Sequence, residues 1–286
     1  MFDHIQAFYQ PRTVAETIRL LNKGGGKTWL LAGGTDVALR ANRKITALVD
    51  ISQLGLSYIK SQKRAVYIGA TTTMADLEQS SLVQQLAGGI LTQAAASCGS
   101  VQTRNMATVG GNLANASPSA DTATPLLVMD AHVVLQGTRS KRMVPLADFF
   151  TAPHKTVANG SLMTEIVIPA SKPNTRWSFL KFGRTNLDIS LVNVAAGISL
   201  DKRGKCVSVK IALGAVAPVP LRCLKAESIL LGQVVDEKLI QAAAEAAAQE
   251  IDPISDVRAS ADYRREISRV LVRRALTDCI EHRERA

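Results

Sequence analysis

Helical and extended periodicities alternate along the chain, and glycine-rich punctuation separates them. Val14, Ile18 and Leu21 recur at the spacing of one helix face, and Thr13 with Glu16 forms a capping-box signature ahead of them. Gly24-Gly25-Gly26 closes that helix as a C-cap and turn. No helix start follows the triplet, so it reads as punctuation and not as a phosphate loop. Trp29-Leu30-Leu31 is a short buried strand and Ala47-Leu48-Val49-Asp50 a second, which makes the stretch up to Asp50 a small α/β unit. Between the two strands the chain runs straight into Ala32-Gly33-Gly34-Thr35-Asp36, and residues 37–40 are expected to begin a helix.

Further on, residues 65–69 read as a strand, Thr73 and Asp76 frame a short helix, and the alanine-rich run 82–97 reads as one buried helix. Residues 99–123 are rich in Gly, Asn, Ser and Thr. Val101, Met106, Val109 and Leu113 are interspersed through them, as in a long but packed loop of functional type. A helix over 124–129 and strands over 131–136 and 161–169 follow, and Ser171-Lys172-Pro173-Asn174 is the best boundary. Beyond it, residues 177–182, 192–200 and 207–213 alternate or run apolar as in an antiparallel sheet, Pro218 and Pro220 interrupt, and 236–249 and 260–281 are helical. In the last helix Tyr263, Ile267, Val270, Leu271 and Leu276 are expected to form the buried face. Arg264, Arg265, Arg269 and Arg273 are expected to form a solvated one.

The bulk properties narrow the function classes. A chain of 286 residues with 47% apolar and 20% charged residues is globular, with room for more than one domain. No apolar run reaches the roughly eighteen residues of a membrane span. Met1-Phe2-Asp3-His4-Ile5 has no basic segment leading into an apolar one, so no secretory signal is expected and a cytoplasmic location is. Cys98, Cys206, Cys223 and Cys279 form no CxxC pair, and His4, His132, His154 and His282 are scattered, so no metal or iron–sulfur site is expected. The net charge of +10 fits either nucleic acid or an acidic partner or anionic cofactor. With 4% aromatic residues there are few platforms for stacking bases, and nucleic-acid binding is not expected.

Two segments carry candidate chemistry. Gly33 and Gly34 lack a Cβ, so backbone N–H groups there can approach an anion, and Thr35 adds a hydroxyl. Taken alone this is also how an ordinary strand-to-helix turn reads. Thr108-Val109-Gly110-Gly111-Asn112 repeats the idea, and Ala116-Ser117-Pro118-Ser119-Ala120-Asp121 follows it with two hydroxyls and a carboxylate that could accept from a ribose or a ring N–H. Neither segment matches the G-x-G-x-x-G or G-x-x-x-x-G-K-[ST] pattern. A pair of glycine loops suits a dinucleotide whose pyrophosphate lies between them. No nucleophile elbow or nucleophile–base pair is present, and the catalytic set is left empty.

At these residues the chain resembles the FAD-binding medium subunit of the molybdenum hydroxylases, the xanthine dehydrogenase, aldehyde oxidoreductase and carbon monoxide dehydrogenase family. The matching pieces are Leu31-Ala32-Gly33-Gly34-Thr35-Asp36, residues 104–113 with Thr108-Val109-Gly110-Gly111-Asn112, residues 116–121, and Lys181-Phe182-Gly183-Arg184 leading to Asp188-Ile189. The resemblance implies an α+β fold. A two-lobed FAD-binding domain would have a small α/β lobe at 1–57 and a larger α+β lobe at 58–172. A C-terminal domain at 173–286 would carry a three-stranded antiparallel sheet with helices. It also implies that Leu30, Leu31, Ala32, Gly33, Gly34, Thr35, Asp36 and Val37, with Thr108, Val109, Gly110, Gly111 and Asn112, hold the pyrophosphate. Ser117, Asp121, Lys181 and the backbone of Met163 would complete the site, the Met163 side chain itself reading as core packing.

The same resemblance implies partners. A small subunit would carry 2Fe–2S clusters and a large one the molybdenum cofactor, with NAD+ a common final acceptor and the whole complex able to dimerise. No cysteine-bearing insertion for an additional 4Fe–4S cluster is present. Thr35 leans toward the purine, N-heterocycle and aldehyde members, since a histidine is expected there in the carbon monoxide group. A stand-alone flavin oxidase or reductase, and a non-catalytic nucleotide-binding scaffold, remain the alternatives.

Overall fold

The computed structural model describes residues 4–39, 42–172 and 174–281. The expectations resting on Met1 to Asp3, on Arg40, on Pro173 and on His282 lie outside the described residues.

The first lobe holds β1 (Ala7–Tyr9), α1 (Val14–Lys23), β2 (Thr28–Leu31) and β3 (Ala47–Asp50). Its sheet is parallel in the order β1-β3-β2. Thr13 caps α1 by accepting from Glu16 N–H at 3.2 Å, and the Glu16 carboxylate reaches back to Arg12 N–H. Gly25 and Gly26 take positive φ and end the helix. The helix expected from Val37 does not form. Ala38 N–H bonds to Gly34 O and Leu39 N–H to Asp36 O, a single turn with no propagation behind it.

The second lobe is built on β4 (Ile59–Gln62) and β5 (Ala65–Gly69), then α2 (Met74–Gln79), α3 (Ser81–Gln85), α4 (Ile90–Ala96), α5 (Val101–Met106), α6 (Val109–Asn115) and α7 (Ala123–Val128). It closes with β6 (His132–Gln136), β7 (Lys141–Pro145), the short pair β8 (Phe150–Ala152) and β9 (Lys155–Thr156), and β10 (Leu162–Pro169). The main sheet is antiparallel, ordered β4-β5-β10-β6-β7. The helices bury one face of it around Ile68, Met74, Leu91, Leu113, Leu126 and Ile166, all at 1% exposure or less. Burying such a side chain fully contributes about 1.5–3 kcal/mol.

Two readings of this lobe are corrected. Residues 82–97 are not one helix, because Ala87, Gly88 and Gly89 turn left-handed between α3 and α4. Residues 99–123 are not a long loop. Ser100 and Thr108 each accept from the N–H three residues on and start α5 and α6, so two capped helices occupy most of the stretch. Their polar caps and small residues masked the helical period.

The C-terminal part comprises β11 (Thr175–Phe182), β12 (Val192–Leu200), β13 (Cys206–Gly214), the two-residue β14 (Leu221–Arg222), α8 (Leu224–Leu230), α9 (Glu237–Glu250) and α10 (Ala261–Glu281). The three long strands are antiparallel, as the alternation predicts, and β14 adds a fourth at the β13 edge. The buried face of α10 is Arg264, Ser268, Leu271, Val272, Ala275, Leu276 and Cys279, rotated from the expected one. Arg264 is therefore not solvated. It is 3% exposed and donates to Leu191 O, Ala215 O and Asp256. No helix among the described residues is long and apolar enough to cross a membrane.

Candidate cofactor site

The two glycine-rich segments, far apart in sequence, are in contact. A Cβ added at Gly33 would lie 1.7 Å from Met106 O and 3.1 Å from Ala107 Cα, so the first loop rests directly on the backbone that enters Thr108. Asn115 at the end of α6 donates to Asp36 Oδ1 at 2.8 Å and fixes the far side of the loop. Gly34 has φ of +73°, a left-handed conformation that favours glycine.

The segments differ in what their backbones offer. In the second, Val109 N–H bonds to Thr72 O and Gly110 N–H to Ala70 O, while Thr108 takes Gly111 N–H on its hydroxyl and Asn112 N–H on its carbonyl. A Cβ at Gly110 would sit 2.5 Å from Ala70 O, so this glycine allows the helix to seat against the end of β5. In the first loop none of the N–H groups of Gly33, Gly34, Thr35, Asp36 and Val37 donates to another described group. These free donors suit an anion, and the second segment is the wall behind them. Asn112 accepts from Thr122 Oγ1 at 2.6 Å, and Ser117 Oγ accepts from Ser119 N–H.

Asp121 sits deeper than expected. It is 5% exposed, and its oxygens receive Lys181 Nζ at 2.7 Å, Asn193 Nδ2 at 3.2 Å, Ser190 Oγ and, at 3.9 Å, Cys98 Sγ. Burial raises its pKa above the usual carboxylate range, opposed by the Lys181 charge and by the Lys181, Ser190 and Asn193 donors. Lys181 also donates to Ser97 O at 2.7 Å. Burial and the Asp121 charge push the Cys98 thiol up to about 12, so it stays protonated. Lys181 and Asp121 thus join β11 to the segment after α6, and Ala215 N–H adds a bond to Pro118 O at 2.7 Å. Met163 is 5% exposed on β10 with its side chain in the second-lobe core, and a register shift falls between it and Glu165. Leu30 and Ala32 pack on the first-lobe core.

Sequence reasoning missed Ser190, Asn193, Cys98 and Asn115. Only Asn193 left a signal, a polar residue inside the otherwise apolar run of β12, and it is fully buried. Among the described residues no group of His, Cys, Asp and Glu could hold a metal ion.

Comparison with known proteins identifies the family. The profile of the FAD binding domain in molybdopterin dehydrogenase matches residues 2–171, and that of the CO dehydrogenase flavoprotein C-terminal domain matches residues 177–279. The chain is 32% identical to the 6-hydroxypseudooxynicotine dehydrogenase complex subunit alpha of Paenarthrobacter nicotinovorans, over 99% of this chain and 96% of that one. It is 31% identical to the xanthine dehydrogenase FAD-binding subunit of Escherichia coli O157:H7, over 98% and 97%. Its fold superposes on carbon monoxide dehydrogenase from Hydrogenophaga pseudoflava with a TM-score of 0.92 and 32% identity, covering 97% of this chain and 98% of that one. The chain belongs to the FAD-binding subunits of the molybdopterin dehydrogenases, the molybdenum hydroxylase family, and is a component of an oxidoreductase.

Proposed function

We propose that this chain is the electron-transfer subunit of a molybdenum-containing hydroxylase complex, receiving electrons from 2Fe–2S clusters on a small partner subunit and delivering them to NAD+ or another acceptor. A large partner subunit would hold the molybdenum cofactor and hydroxylate the substrate. The observation that carries the reading is the first loop, whose N–H groups from Gly33 to Val37 have no partner among the described residues and which is held against the Met106–Thr108 backbone. FAD, when bound, supplies the chemistry by which electrons arriving singly leave as a pair.

The residues divide this work. Residues 30–37 bind the pyrophosphate through backbone donors, and Thr108 to Asn112 fix the loop's position from behind. Thr35 and Ser117 add hydroxyl donors at the rim. Asp121 and Lys181 satisfy each other, so their role is to lock β11 beside the flavin end, and the β10 backbone at Met163 lines that end. Lobes at 1–57 and 58–172 and a C-terminal domain at 173–286 are the units we assign to these tasks, in a cytoplasmic complex.

The chain, tagged and purified from its host, is expected to be yellow, to carry iron- and molybdenum-containing partners, and to reduce NAD+ or a dye anaerobically with a purine, aldehyde or N-heterocycle. A bleached chain that takes up no FAD on titration overturns the flavoprotein reading. A yellow chain that turns over substrate with no partner overturns the relay reading.

A further inference from the structure

A second concavity lies away from the glycine segments. It is a half-open groove of about 600 Å³ between α1 and the outer face of the five-stranded sheet. No residue assigned above to the cofactor lines it. Val14, Ile18 and Leu56 form an apolar wall, and Arg19 from α1 and Lys141 from β7 stand on its rim. Glu165 is the one carboxylate in the lining. It is already engaged by the Tyr58 hydroxyl at 2.6 Å and by Lys60 at 3.7 Å. Among the described residues neither Arg19 nor Lys141 has an ion-pair partner. Among the described residues the rim is thus cationic and without an ion-pair partner.

The groove continues onto a row of side chains that the strand register sets side by side across the sheet: Lys60, Tyr67, Val167, His132 and Pro145. These alternate with Ile68, Ile166 and Val133, which point into the helical core, so the row faces outward. Met143, one row over on β7, is 60% exposed. An apolar wall with a cationic rim, opening onto an exposed sheet face, extends further than a small molecule would fill.

We propose that this groove docks an acidic segment of another subunit of the complex, with a bulky apolar side chain on the α1 wall and carboxylates meeting Arg19 and Lys141. The proposal rests on the reading that the chain works inside a multi-subunit complex. The chain's net charge of +10 points to a partner of opposite sign.

The test compares the complex, isolated through a tag on this chain, with the chain expressed alone. Lys141 is expected to react with an acetylating reagent at least about tenfold more slowly in the complex. A carbodiimide is expected to couple Lys141 to a carboxylate of a partner. The double variant R19E/K141E, at exposed positions, should keep its flavin absorbance and melting temperature but lose partner affinity by about tenfold or more. Lys238→Glu on α9, the charge control, should lose none. Equal Lys141 reactivity in the two preparations, or R19E/K141E retaining its partners at unchanged salt tolerance, overturns the proposal and leaves the flavoprotein reading intact. Protection of Lys141 by a small anion in the chain alone also overturns it. A wild-type chain recovered without partners overturns the subunit reading and this proposal together.

Discussion

Replacing Gly33 with alanine separates close approach from ordinary turn chemistry. The added Cβ would fall 1.7 Å from Met106 O and 2.5 Å from Met106 C. Both are backbone atoms at the end of a capped helix, so no side chain can swing aside. Restoring a normal contact requires the first loop to move by more than an ångström off the Met106–Thr108 backbone. Overpacking of this kind costs about 1–3 kcal/mol, and the same displacement takes the free N–H groups of residues 33–37 out of register with a bound pyrophosphate. If the loss falls on the FAD complex, affinity drops by roughly 5- to 150-fold at about 1.4 kcal/mol per tenfold. The assay is FAD titration of the bleached chain, followed by flavin fluorescence, with thermal unfolding of the FAD-free chain beside it. Gly25→Ala is the control. Its φ of +55° adds a left-handed backbone strain that Gly33 does not have, and nothing lies within 4 Å of the added Cβ. It should cost about 1–2 kcal/mol of stability and leave FAD affinity unchanged. If Gly33→Ala binds FAD as tightly as wild type, or if Gly25→Ala weakens it equally, the contact between the loops is not what shapes the site.

Asp121→Asn should destabilise by about 3–5 kcal/mol, because it leaves Lys181 buried without its counter-charge; D121N/K181M should recover part of that loss, and thermal unfolding of the three proteins measures the coupling. Thr108→Ala should cost about 1 kcal/mol through loss of the α6 cap to Gly111 N–H, with a smaller change in FAD affinity than Gly33→Ala, read by the same titration. Asp256 gives the pH prediction. Burial alone would raise its pKa, but the hydrogen bonds from Arg258 and the charges of Arg264 and Arg258 hold it well below the usual carboxylate range. A depressed folded pKa stabilises above the unfolded value of about 3.9 and loses that contribution as pH falls through the folded one. Urea denaturation between pH 6 and pH 2 should therefore show a steeper acid loss in wild type than in Asp256→Asn; parallel curves would remove Asp256 from the acid limb.

The sequence determined the secondary structure wherever one period ran uninterrupted. The Thr13 cap, the strand entering Gly33, the strands at 65–69 and 162–169, and the three long strands after Thr175 follow from spacing that local sterics and burial enforce. The family could be named from its glycine segments because each needs glycine for a backbone reason, Gly33 for contact with Met106 in the first and Gly110 for contact with Ala70 in the second. Tertiary structure decided the rest. α5 and α6 read as loop because small residues and polar caps carry little hydrophobic period; in the fold α5 lies against α2, and α6 packs on β10 with its first N–H groups on Ala70 and Thr72 just past β5. The face of α10 differs from the expected one because Arg264 is charged by type, yet carbonyls of Leu191 and Ala215 and the carboxylate of Asp256, which only the fold assembles, accept from its two terminal nitrogens. Asp121 reads in sequence as a free acceptor. Its partners Lys181, Ser190 and Asn193 lie on β11, just ahead of β12 and on β12, and the fold makes it an internal lock. Which glycine segment keeps its N–H groups free is likewise a property of pairing across space. Composition named both segments as equals, and the third dimension paired the N–H groups of the second while leaving those of the first without partners among the described residues.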